Sequence, residues 1–133
     1  MKAALCHMQL NVVDEKGCAW YKEFFAYLGY KVISEDEGWA GYANGTTDFW
    51  IGPVEKKFKK KGYHRKAAGV NHLAFFVKSK KDVEKFAKEF LQPRKIKPLY
   101  DTPRAFPEYG KSYYAAFFEG PDRIKLEICY LKP

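Results

Sequence analysis

His7-Met8-Gln9-Leu10-Asn11-Val12-Val13-Asp14 and His72-Leu73-Ala74-Phe75-Phe76-Val77-Lys78-Ser79 decide how this chain reads. With His7 set on His72, Val12 falls on Val77 and Asp14 on Ser79. Further along, Cys18, Tyr21 and Phe25 fall on Val83, Phe86 and Phe90. Such an internal repeat means one supersecondary unit used twice. Each copy opens on an apolar run, Leu5 to Val13 and Val70 to Lys78, that suits a strand. Asp14 and Ser79 can each offer a side-chain oxygen to an orphan N–H of a helix's first turn. Ser79-Lys80-Lys81-Asp82 has the outline of a capping box. The apolar residues that follow, spaced i, i+3, i+7, give each helix one stripe to lay on a sheet. Gly29 and Pro93 are the stop signals.

Outward from these runs the sequence turns β-like. In the first half it reads Tyr30 to Ile33, Trp39 to Ala43 and Thr47 to Ile51. In the second it reads Lys95 to Leu99, Ser112 to Phe118 and Ile124 to Cys129. Asn44-Gly45 and Gly120-Pro121-Asp122 supply turns. The expected fold is α+β, with two tandem βαβββ modules at 1–52 and 70–133 joined by a linker at 53–69. The second module is longer by a Pro-, Arg- and Tyr-rich segment from Gln92 to Lys111. A long irregular stretch inside a compact domain is often a functional loop.

Composition limits the choices. A chain of 133 residues with 47% hydrophobic and 18% aromatic content is neither disordered nor too short for a core. No apolar run approaches the ~18 residues of a membrane span. The opening Met1-Lys2-Ala3-Ala4-Leu5-Cys6-His7 lacks the apolar stretch of a signal peptide. Cys6, Cys18 and Cys129 are sparse and odd in number, which speaks against a disulfide framework and for a reducing, cytoplasmic setting. Core packing is their expected role. The net charge of +8 raises nucleic acid as a partner. However, the one dense basic block, Glu55 to Lys66, reads as a solvated loop without any nucleic-acid signature. A basic surface also draws small anions.

Chemistry is carried by three residues. His7 and His72 open equivalent strands of the two repeats, and Glu127 sits between Leu126 and Ile128 on the last strand. Two imidazoles and a carboxylate suit Fe²⁺, Mn²⁺, Ni²⁺, Co²⁺ or Zn²⁺ and leave positions open for a substrate. A pseudo-twofold relation between the repeats would bring the two histidine slots together.

In Asn71-His72-Leu73-Ala74-Phe75, in Asp48-Phe49-Trp50-Ile51-Gly52, and in Tyr113 to Phe118 followed by Pro121 to Glu127, the chain resembles the vicinal oxygen chelate superfamily. That superfamily includes glyoxalase I, extradiol dioxygenases, and fosfomycin and bleomycin resistance proteins. The resemblance covers essentially the whole chain. It implies paired modules curving a mixed sheet around a cleft, a homodimer, and one divalent metal ion held by His7, His72 and Glu127. Glyoxalase I has a further glutamate ligand near the end of the first module, where this chain is read as having Ile51 or Gly52. Phe117 stands where ring-cleaving dioxygenases have a tyrosine, and Arg123 replaces their turn glycine.

The function expected is that of a metal-dependent lyase, isomerase, epoxide-opening enzyme or dioxygenase. It would chelate two adjacent oxygens of a small anionic substrate. The alternative is a metal-free protein that sequesters a small molecule. Glu108, Tyr109 and Tyr113 are the candidate acids and bases. Arg104, Lys111 and His64 are candidates for holding an anionic group, and Tyr114 and Trp50 for contacting substrate on the cleft wall. No membrane partner is expected.

Overall fold

The computed structural model describes residues 1–132, which divide along the chain into two compact units, the first ending at Gly62 and the second starting at Tyr63. The first unit contains β1 (His7–Val12), α1 (Glu15–Tyr27), β2 (Lys31–Asp36), β3 (Trp39–Ala43) and β4 (Asp48–Pro53). Its sheet runs β1-β4-β3-β2, with β1 parallel to β4 and the other pairs antiparallel. The second unit contains β5 (His72–Phe76), α2 (Lys80–Phe86), β6 (Leu99–Ala105), β7 (Tyr114–Glu119) and β8 (Lys125–Tyr130). The order β5-β8-β7-β6 repeats the same topology. The two βαβββ modules are therefore present in the order the repeat predicts.

The caps form as read. The Asp14 carboxylate accepts from the Gly17 N–H at 3.0 Å, and the Ser79 hydroxyl oxygen accepts from the Asp82 N–H at 3.2 Å. The Ser79 hydroxyl also donates to Asp82 Oδ2 at 2.8 Å, in place of the N-cap N–H that a full capping box would use. At the far end of α1, Tyr30 N–H donates to Phe25 C=O at 2.9 Å and Gly29 N–H to Ala26 C=O at 3.1 Å. This is a Schellman closure, and Gly29 supplies the left-handed φ of 82° that it requires. Helix α2 runs on into a wider π turn, Ala87–Leu91, before Pro93.

Each sheet buries one face against its helix. Tyr21, Phe24 and Phe25 of α1 lie fully buried with Tyr42, Phe49 and Ile51. Val83, Phe86 and Phe90 of the second helix cover Phe118, Leu126 and Ile128. Of the cysteines only Cys129 is buried. Cys6 is exposed, and Cys18 sits half-buried with its thiol toward Gly38 C=O at 3.9 Å, so core packing is not their common role. In α1 the small Gly17 takes a buried position near the cap.

The segment from Gln92 to Lys111 is more ordered than expected. No strand forms over Lys95 to Pro98, because Lys95 adopts a left-handed φ of 54°. The strand comes later, at Leu99–Ala105, with a bulge at Tyr100 and Asp101, both at positive φ. Buried Thr102 stitches that bulge to β7. Its hydroxyl donates to Leu99 C=O at 2.7 Å and accepts from Phe117 N–H at 2.9 Å. Arg123 adopts a left-handed φ of 61° in the turn before β8. No helix of the described residues is long and apolar enough to cross a membrane.

Candidate metal centre

Alternation along the strands of the second unit sorts the side chains. Leu126 and Ile128 of β8 go under the helix, so Lys125, Glu127 and Cys129 take the opposite face. On β7, Phe118 packs on Phe86 while Ala115 and Phe117 join Cys129 and Phe106 on the other side. Strands β5 and β8 are parallel, with His72 opposite Lys125 and Ala74 opposite Glu127. His72 and Glu127 therefore meet on one face, with His72 Nε2 at 3.2 Å from Glu127 Oε2.

The partners of this pair restrict its chemistry. The Asn71 amide donates through Nδ2 to Arg65 C=O at 3.1 Å, which fixes the amide's orientation. Its Oδ1 then faces His72 Nδ1 at 2.8 Å and accepts that nitrogen's proton. In neutral His72 the lone pair is consequently on Nε2, aimed at a carboxylate oxygen. Glu127 is only 1% exposed, and its other oxygen, Oε1, accepts from the Tyr113 hydroxyl at 2.5 Å. Two lone pairs 3.2 Å apart repel unless a cation or a proton stands between them. Two metal bonds of about 2.1 Å at right angles would separate their donor atoms by about 3 Å. The chemistry and spacing of His72 and Glu127 would suit a divalent cation, and Asn71 and Tyr113 would then orient the two side chains from behind.

The orienting chain extends further. Arg65 bonds Glu119 at 2.6 Å, a half-buried pair that draws the Glu119 carboxyl below its ordinary value. The guanidinium of Arg65 is held by Glu119 while its backbone carbonyl holds Asn71, so one residue ties both groups behind His72. Burial first, then the bond to Glu127, pushes the Tyr113 hydroxyl far above its ordinary value, so it stays a donor. Replacing Tyr113 with Phe is expected to weaken divalent-cation binding by roughly 10–100-fold with the fold intact. Calorimetric titration of the variant with Zn²⁺ checks this, and unchanged affinity would contradict it.

A cavity of about 470 Å³ opens over the pair. His72, Glu127, Tyr113, Arg104, Glu108 and Tyr109 all line it, as do Tyr100, Phe106, Phe117 and Lys125. Rings dominate its walls. Phe106 stacks on Tyr109, Tyr100 and Phe106 meet Phe117 edge-on, and the Arg104 guanidinium lies 3.9 Å from the Phe106 ring centre. The sequence reading missed Lys125, Tyr100, Phe106, Phe117 and the orienting role of Asn71. Counting back two residues from Glu127 on one strand face would have found Lys125.

Other candidates lie elsewhere. Tyr114, one residue past Tyr113, turns to the helix side, where its hydroxyl bonds Glu84 and Lys80 lies over its ring. Lys111 sits on an exposed turn outside the cavity lining, and His64 accepts from Lys66 N–H in the exposed linker. Trp50 and His7 belong to the first unit, where Gln9 pairs with Trp50 and His7 with Asp48. The β-register makes Trp50 the counterpart of Glu127, and this corrects the assignment of that slot to Ile51 or Gly52. Ile51 is buried on the helix side, and a Cβ on Gly52 would meet the Trp39 ring at 2.1 Å. Among the described residues no three His, Cys, Asp or Glu side chains gather into a metal cage, so the second unit supplies a pair.

The tyrosines on both faces give a pH signature. Hydrogen bonding to Glu84 and then burial push Tyr114 up to about 12, and burial raises Tyr30 and Tyr42. Folded, these hydroxyls hold their protons more tightly than when unfolded. The folded chain therefore carries the extra protons once unfolded tyrosines ionise near pH 10, and stability falls as pH rises. Thermal melts should be level between about pH 7 and pH 9 and decline steeply above about pH 10. A melting temperature constant to about pH 12 would contradict this.

No family model matches the chain. It is 36% identical over 126 residues to the uncharacterized protein YqjT of Bacillus subtilis (strain 168), covering 92% of this chain and 94% of that protein. A crystal structure of a candidate glyoxalase from Bacillus halodurans superimposes with a TM-score of 0.87 at 31% identity, covering 98% of this chain and 97% of that one. A glyoxalase/bleomycin resistance protein/dioxygenase from Alicyclobacillus acidocaldarius matches at TM-score 0.66 and 15% identity, over 98% and 92% of the two chains.

Proposed function

Because the chain belongs to the glyoxalase/bleomycin resistance/dioxygenase family of the vicinal oxygen chelate superfamily, we propose that it is a divalent-metal-dependent enzyme acting on a small anionic substrate with two adjacent oxygens. The observation that carries this reading is the His72–Glu127 pair. A nearly inaccessible carboxylate faces an imidazole lone pair, and the free position of each neighbouring group is already spent. A carboxylate taken out of water costs several kcal/mol unless a positive charge answers it. When bound, a divalent cation supplies Lewis acidity toward the substrate's two oxygens.

The chain's own residues do the rest. Asn71 holds His72 in the tautomer that presents Nε2. Tyr113 keeps its proton on the phenol oxygen and fixes the Glu127 rotamer. The rings of Phe106 and Phe117 exclude water from one side of the cavity. Glu108 and Tyr109 line the cavity mouth and are the groups we assign to proton exchange with the substrate. His7 is proposed as the third ligand, on the register equivalence of β1 with β5. We also assign the protein to a homodimer in a reducing cytoplasm. Free cysteines support the compartment, and the family relation supports the dimer.

The test is metal content after equilibrium dialysis against Mn²⁺, Fe²⁺, Co²⁺, Ni²⁺ and Zn²⁺. About one ion per chain is expected in the wild type, with loss in His72→Ala and reduction in His7→Ala. Loaded protein is then screened for isomerase, lyase, epoxide-opening and ring-cleaving reactions. The aromatic lining favours one second reading, sequestration of a flat ligand without chemistry. No stoichiometric metal, together with ligand recovered intact, would replace the enzyme reading with that one.

A further inference from the structure

We propose that Lys125 is the anion-recognition residue of this cavity, and that the ligand is a small monoanion with a flat, unsaturated body whose charged group rests on the Lys125 ammonium. The proposal deepens the functional reading above and rests on it for the identity of the site. Lys125 opens β8 directly across from His72 and lies on the same strand face as Glu127. Its ammonium stands 5.3 Å from the Tyr100 ring centre and 5.2 Å from that of Phe117, inside the cavity lining. On the other side its cross-strand partner is Glu119, the natural counter-ion. That carboxylate is already taken, by Arg65 at 2.6 Å and Arg123 at 3.4 Å. Among the described residues Lys125 therefore makes no ion pair and no side-chain hydrogen bond.

A lysine carries three donors. Here two aromatic rings shield one side of it and the only carboxylate in register is diverted, so those donors remain for a ligand. Arg104, the other cation of the lining, is less available. It donates to Tyr100 C=O at 3.2 Å and Ala105 C=O at 3.1 Å while stacking on Phe106. A volume of about 470 Å³ lies at the small end of ligand pockets, and its ring-built walls suit a planar body.

The experiment compares benzoate with its neutral isostere benzamide, by calorimetry on the metal-loaded protein, in wild type, Lys125→Gln and Lys125→Arg. Metal content and melting temperature are recorded for the same samples. The expected result is a preference for benzoate of at least about tenfold in wild type. It should be kept in Lys125→Arg and lowered at least about fivefold in Lys125→Gln, with benzamide affinity and metal content unchanged. A preference that is undiminished in Lys125→Gln, or that is absent from wild type, overturns the proposal. Wild type without metal refutes the metal reading separately, since the benzoate preference and its loss in Lys125→Gln are still scored in that protein.

Discussion

Glu127→Gln is expected to lower divalent-cation affinity by more than about a hundredfold and to leave the protein folded. The amide has the shape of the carboxylate and still accepts from the Tyr113 hydroxyl, so packing on this face of β8 is preserved. What disappears is the negative charge and the lone-pair geometry 3.2 Å from His72 Nε2. Changing groups that only orient a ligand costs 10–100-fold in affinity, and losing a ligand costs more. Calorimetric titration with Zn²⁺, paired with a thermal melt, reads both halves of the prediction. Affinity within a few-fold of wild type would show that Glu127 is a structural carboxylate. Collapse of the fold would show that its charge is needed for stability.

The second large effect is on stability. Phe25→Ala should destabilise the first unit by about 3–5 kcal/mol. Phe25 is fully buried, with ring centres of Tyr42 and Phe49 at 5.0 Å, Tyr30 at 5.1 Å, Phe24 at 5.5 Å and Tyr21 at 5.9 Å. Five rings cannot close over the space of a sixth, so a cavity remains and aromatic edge contacts are lost with it. The expected fall in melting temperature is roughly 10–20 °C. A fall under about 3 °C would mean that the cluster repacks and that Phe25 is not its hub.

The contrast between Asp14 and Trp50 shows how far sequence carried the fold and the site. Asp14 and Ser79 were legible because a cap needs only one side-chain oxygen near its own first turn, a requirement local in sequence. The repeat extended that local reading across the chain and set His7 against His72. The first-unit counterpart of Glu127 was placed at Ile51 or Gly52 instead of Trp50 because that slot depends on the parallel register of β1 with β4, which no turn fixes. Tyr113 and Tyr114 looked interchangeable in composition, yet the strand's alternation sends one to Glu127 and the other to Glu84. β6 was misplaced because its bulge is held by Thr102 reaching across to Phe117, a tertiary bond with no local signature. Lys125 escaped notice because its meaning lies in Glu119 being occupied by Arg65 from a distant part of the chain.

His72 and Glu127 are proposed to hold a divalent cation together. Crystals grown with Zn²⁺, with diffraction data recorded at the zinc absorption edge, test it most directly. An anomalous peak is expected about 2.0–2.2 Å from both His72 Nε2 and Glu127 Oε2, absent in His72→Ala. A map with no peak there, in which the imidazole and carboxylate keep their 3.2 Å separation, would contradict it and leave a protonated histidine as the partner of Glu127.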